Sequence, residues 1–361
     1  MRVKWSLSLI AMFLLIFALM PVSQVSAHTD NSEGFSKISA ASRQLNYELM
    51  LDYFEFGRVV MLDARPDQSE AELLALLDQN KQAVLDYVNA HLKIYINGEA
   101  VDGMLAETKI TSKLGRYYAD LSLNYPNPSN AKGVEVDYTI FFDDNDSMHR
   151  NIAAYSWEGR EGQFVFNSGE RHMGLGNPSY IGQAWRFIQL GFHHIMIGLD
   201  HILFVIALVL TSKSFRSIFR IATVFTLAHS VTLGLSAFHV LSVPSEIVEP
   251  LIALSIAYVA LEASFLSDSK ARPFVVFGFG LVHGIGFAGA LEMTGAINAS
   301  SMLSLAAFNI GVEGGQLLII SLLFPLLLYI RRYSWSRPVQ IAAVAFVFVS
   351  GIYWYMERMM M

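Results

Sequence analysis

The chain predicts a helical membrane bundle of six transmembrane helices, preceded by a β-rich, sandwich-like α+β domain outside the cytoplasm. Three observations lead there. Hydrophobic residues make up 53% of the 361 positions and charged residues 16%, with a mean hydropathy of +0.41, too apolar for an ordinary soluble protein. Six apolar segments, 186–211, 218–240, 247–267, 273–292, 302–330 and 338–355, each come near the ~20 residues that cross a bilayer. Before them, residues 46–186 mix polar and apolar residues with no long apolar run.

Residues 1–27 read as a signal peptide. Arg2 and Lys4 make the basic start, residues 9–20 the apolar run, and Val25, Ser26 and Ala27 the small-residue exit. The short run and the exit favour cleavage over an uncleaved membrane helix. The next unit, residues 28–185, carries Ser69 and Glu72 at capping-box spacing, which predicts one amphipathic helix running to about Leu92. Stretches 93–96, 117–125, 134–142, 152–157 and 163–167 are rich in β-branched and aromatic residues and read as strands. Asp143, Asp144, Asp146 and His149 suggest a calcium or transition-metal loop. They lack the glycine and distant glutamate of an EF-hand, so a solvated acidic loop is the preferred reading; His91 and His172 are isolated and take no assignment.

Orientation follows from the connections in the apolar half, residues 186–361. Lys213, Arg216 and Arg220 follow the first apolar segment, Lys270 and Arg272 the third, and Arg331, Arg332 and Arg337 the fifth. The intervening connections hold no Lys or Arg, so the basic loops face the cytoplasm and the β-rich domain faces out, as a multi-pass cell-membrane protein requires.

An ionisable side chain at the centre of a membrane helix costs roughly 2.5–3.5 kcal/mol on insertion scales. This chain nevertheless places His194, Asp200 and His201 on the first apolar segment, with His229, His283 and Glu313 on later ones. All except His194 fall within the middle third of the bilayer by helical rise. His194 and His201 are seven residues apart and share a helix face, with Gly198 between them as room for a neighbouring backbone. His193, Thr226, Ser230, Asn309 and Gln316 complete a polar set at helical spacing. Each residue alone is explained by interhelical hydrogen bonding; together they predict one buried functional site that receives Asp200. With no cysteine in the chain, imidazole, carboxylate and carbonyl are the available metal ligands. The net charge of −6 gives no reason to expect nucleic acid.

The run from His194 through Gly198 to Asp200 and His201 resembles the H-x(3)-G-x-D-H signature of the HupE/UreJ family. The blocks around His229, His283 and Glu313 resemble that family too, in its branch with a signal peptide and an outer domain. The resemblance implies nickel or cobalt uptake. It leaves open which divalent transition metal is bound, nickel, cobalt, zinc or copper. Two other readings remain: an intramembrane zinc hydrolase with three His ligands and Glu313 or Asp200 as general base, and a metal sensor or chaperone.

Overall fold

The computed structural model describes residues 32–41, 44–113, 116–126, 133–175, 179–212, 214–238, 240–265, 271–287 and 298–360. The expected signal peptide lies outside them, as do Lys213 and Lys270 of the basic connections.

The N-terminal half folds as β1 (Glu33–Ala41), β2 (Gln44–Asp52), α1 (Tyr53–Val59), α2 (Glu70–Gln79), α3 (Lys81–His91), β3 (Leu92–Ile96), β4 (Glu99–Val101), β5 (Met104–Lys113), β6 (Arg116–Pro126), β7 (Val134–Tyr138), β8 (Arg150–Trp157), β9 (Arg160–Phe166) and β10 (His172–Gly174). Two sheets result, a six-stranded one in the order β5-β6-β2-β1-β8-β9 and a four-stranded one in the order β10-β7-β3-β4. Only β1 and β8 pair in parallel; the other named strand pairs are antiparallel. One apolar core joins Leu45, Tyr47 and Leu49 of the large sheet to Ile94 and Val136 of the small one, with Leu73, Leu77, Val84 and Val88 of the helices.

The β-rich character and the helix start match the sequence reading. Ser69 Oγ accepts from Glu72 N, and Ser69 N donates to Glu72 Oε2 at 2.8 Å, so the capping box forms. The single helix to Leu92 is instead two, α2 and α3, broken at Asn80, whose side chain donates back to Leu76 O at 2.8 Å. Strand β7 stops at Tyr138 rather than at 142, because its partner β3 begins at Leu92, opposite Tyr138; Phe141 then adopts φ 68° in the acidic loop. That loop is not merely solvated. Asp143 pairs with Arg171, Asp144 accepts from Tyr87 Oη at 2.7 Å, and Asp146 accepts from Ser32 N at 2.6 Å. His149 is fully buried between Ser32 Oγ (2.7 Å) and Tyr138 Oη (2.9 Å), and His172 lies 2.5 Å from Asp137.

The second half is helical: α4 (Tyr180–Ile197), α5 (Leu199–Thr211), α6 (Phe215–Ala237), α7 (Ser245–Phe265), α8 (Arg272–Phe287), α9 (Ala299–Ile330) and α10 (Ser336–Met360). Among the described residues three helices, α6, α9 and α10, are long and apolar enough to cross a membrane, and the pair α4 and α5 raises the number to four if it is one span. Helix α8 is apolar but shorter.

The first apolar segment is therefore not one helix. It breaks at Gly198 (φ −70°, ψ 94°), and the two pieces meet at 73°. The helices also grip the large sheet. Phe35, Tyr118, Ile152 and Val165 share a core with Phe187 and Leu190 of α4 and with Phe308 and Val312 of α9. Gln183 of α4 donates to Ser300 Oγ at 2.8 Å and Ser304 Oγ at 2.7 Å on α9. Gly311 of α9 lies so close to Ile188 O of α4 that a Cβ there would overlap it, which is why α4 and α9 approach backbone to backbone.

Candidate functional site

The break at Gly198 sets the geometry of the site. Gly198 N donates to His194 O and Ile202 N donates to Gly198 O, each at 3.0 Å, so one residue closes α4 and opens α5. A Cβ on Gly198 would stand 2.8 Å from His201 Nδ1 and 2.9 Å from His194 O. The glycine therefore makes room for its own histidines, not for a neighbouring helix as its spacing suggested.

Four imidazoles meet at this bend. Ring centroids of His194 and His201 are 4.6 Å apart, His201 and His283 5.4 Å, His201 and His229 6.3 Å, and His194 and His229 6.4 Å. His229 and His283 are buried, on α6 and α8, against Phe225; Phe204 closes over His283 at 5.3 Å. What brings α6 and α8 together is Gly284, where a Cβ would overlap His229 O and Thr232 Oγ1.

Burial of this much polarity ordinarily comes with hydrogen bonds. Here it does not. His201 Nε2, His283 Nδ1 and both nitrogens of His229 are buried with no hydrogen-bond partner among the described residues. Ser255 of α7 identifies the state of His283. Its hydroxyl donates to Ile252 O at 2.6 Å, so in the 2.9 Å contact with His283 it accepts, and Nε2 carries the proton. The unpartnered Nδ1 is then a bare lone pair, held in place by a bond at the far nitrogen, which is the arrangement of a metal-ligating imidazole.

Metal–nitrogen bonds of about 2.0–2.1 Å put ligating ring centroids roughly 5 Å apart. The 4.6 Å and 5.4 Å pairs match this spacing, and His229 stands wide of it. As placed, no three His, Asp or Glu side chains among the described residues are close enough to share one ion. Holding one ion on three of these imidazoles requires side-chain rotation.

The two carboxylates have other partners. Asp200, expected to be received by the histidines, accepts from Arg358 Nη2 of α10 at 2.9 Å. Arg358 also donates to Glu249 O at 3.1 Å and lies 3.9 Å from the Glu249 carboxylate. Glu313 accepts from Thr223 Oγ1 at 2.7 Å, and one turn on, Gln316 accepts from Thr226 Oγ1 at 3.2 Å, forming a polar ladder between α6 and α9. Ser230 donates to Thr226 O at 2.7 Å and Asn309 to Leu305 O at 2.8 Å, each within its own helix. His193 lines a separate cavity beside Arg150. Sequence reasoning missed Ser255 and Arg358. The signal for Ser255 was a small hydroxyl within an apolar helix; for Arg358 the sequence carried no local signal.

No curated protein matches the chain. Residues 171–358, a little over half of it, match the family described as HupE / UreJ protein, a span that takes in the bent pair, every histidine of the cluster and Arg358. The chain belongs to the HupE / UreJ family.

Proposed function

We propose that the chain binds a divalent transition metal of the nickel or cobalt type at His194, His201, His229 and His283 and carries it across the membrane. The observation that carries this reading is the set of buried imidazole nitrogens of His201, His229 and His283 without partners among the described residues, above all the fixed lone pair of His283 Nδ1. Neutral imidazole suits such ions. The helix break supports it as well. A discontinuous helix is the device by which transporters build ion sites inside a membrane, and the carboxyl end of α4 turns the negative end of its dipole towards the cluster. Six crossings with the β-rich domain outside, as the basic connections predict, complete the proposal.

The hydrolase reading finds less support. Glu313 is bonded to Thr223, six residues from His229 and so about 9 Å along α6, too far to serve as base to a water on a histidine-held ion. Metal-loaded liposomes containing the purified protein test the proposal. Wild type is expected to release metal, His201→Ala and His283→Ala to abolish release, and Glu313→Gln to weaken it. Equal release by all four proteins would contradict transport through this site, and wild-type hydrolysis of lipid or peptide that vanishes in Glu313→Gln would restore the enzyme.

A further inference from the structure

Where α4 leaves the large sheet lies a second cavity, of about 510 Å³, that the histidine cluster does not use. That volume is in the range of ligand sites, about 300–1,000 Å³. One wall is Arg150 of β8 with Asn167; the other is the face of α4 that carries Trp185, Gln189, Phe192 and His193. None of the described residues that line it is acidic.

Its cations are incompletely satisfied. Among the described residues the Arg150 guanidinium has no hydrogen-bond partner and no carboxylate at ion-pair distance; Glu33 acts on it only through the field. Burial lowers the Arg150 pKa, so an anion is the partner that would restore its lost solvation. Arg186, also in the wall, gives Nη1 to Glu170 at 3.0 Å and stacks over Phe164, but its Nε is buried and unpartnered, as is His193 Nε2. The rest of the lining is largely apolar, with Val165, Ile188, Leu190 and Met196, and it includes residues left open on the helix, Trp185 (58% exposed) and Phe192 (37%). A free anion explains the guanidinium and leaves the apolar wall unexplained. A phosphate attached to acyl chains explains both.

We propose that this cavity binds the phosphate of a phospholipid headgroup, with Arg150 as its main contact and the chains lying along Trp185 and Phe192. The lipid then adds to the apolar core and the Arg186–Glu170 pair as a third bridge between the β-rich domain and the first bundle helix. A guanidinium holds a phosphodiester through charge-assisted, bidentate bonds. The site is separate from the histidine cluster, so its test does not depend on metal binding.

Native mass spectrometry of the full-length protein, delipidated in detergent and titrated with phosphatidylglycerol, reads the site directly. Wild type is expected to retain one lipid with preference over diacylglycerol. Arg150→Gln should weaken that binding by about tenfold or more, Arg150→Lys should fall between the two, and Arg216→Gln, far along the bundle, should bind as wild type does. Circular dichroism of each variant verifies folding. Phosphatidylglycerol binding that is equal in wild type and Arg150→Gln would overturn the proposal. So would inorganic phosphate binding as tightly as the lipid, which would mark a free-anion site.

Discussion

Asp200 and Arg358, 158 positions apart in the chain, are joined by a 2.9 Å hydrogen-bonded ion pair that ties the start of α5 to the last turn of α10. The carboxylate of the family-like signature is thereby held by an arginine rather than by the histidines next to it. Both side chains are about four-fifths buried, at 23% and 20% exposure. Arg358→Gln is expected to lower stability by about 1–3 kcal/mol, because it strands Asp200. Asp200→Asn combined with Arg358→Gln should cost less than the sum of the single changes. Thermal unfolding in detergent measures this; additive losses would mean that the pair is not coupled.

His229 offers the opposite signature. Its ring is buried with neither nitrogen bonded among the described residues, a state that costs about 1–3 kcal/mol per unsatisfied group. His229→Leu should therefore leave the metal-free protein as stable as wild type or more so, while reducing the metal retained. A histidine kept only for packing would give destabilisation with unchanged metal content.

Gly284→Ala tests how the cluster is assembled. The new methyl would meet His229 O and Thr232 Oγ1, so α6 and α8 must separate. The expected loss is about 1–3 kcal/mol, and the same variant should bind metal more weakly, since His283 moves with α8. Unchanged stability and affinity would show that the two helices are free to shift.

The histidine cluster was legible because an ionisable group in an apolar segment must be received somewhere, and four such segments carried one. The break at Gly198 was not legible. A glycine seven-residue midpoint between His194 and His201 reads equally as a packing notch, and only the φ and ψ of the folded chain distinguish the two. Arg358 was missed because pairing over so long a separation leaves no local pattern. Strand β2 was missed although its signal was present, as Leu45, Tyr47, Leu49 and Leu51 alternate at period two and are all buried. Glu313, Gln316 and Thr226 were read as part of the one polar site, whereas Glu313 bonds Thr223 and Gln316 bonds Thr226 in a ladder beside the cluster.

The β-rich domain carries its own pH dependence through His149. Burial holds its pKa at about 3, against a usual value of 6.5. The unfolded chain takes up a proton as pH falls below 6.5 and the folded chain does not, so stability is lost on acidification through that window and is complete above it. At pH 5 the loss is about 2 kcal/mol. Hydrogen exchange of β1 and β8, which flank Ser32 and His149, should accelerate between pH 7 and pH 5 after correction for intrinsic rates. His149→Gln should remove that acceleration, and its persistence in the variant would place the titrating group elsewhere.

X-ray absorption spectroscopy of the purified, metal-loaded protein addresses the histidine site most directly. A nitrogen and oxygen first shell with the outer-shell scattering of two or more imidazoles is predicted, with metal retained at pH 7.5 and released as imidazole protonates at lower pH. The same spectrum should lose its imidazole scattering in His201→Ala combined with His283→Ala. An oxygen-only shell, or a bound metal whose spectrum is unchanged in that double variant, would contradict the assignment of the site.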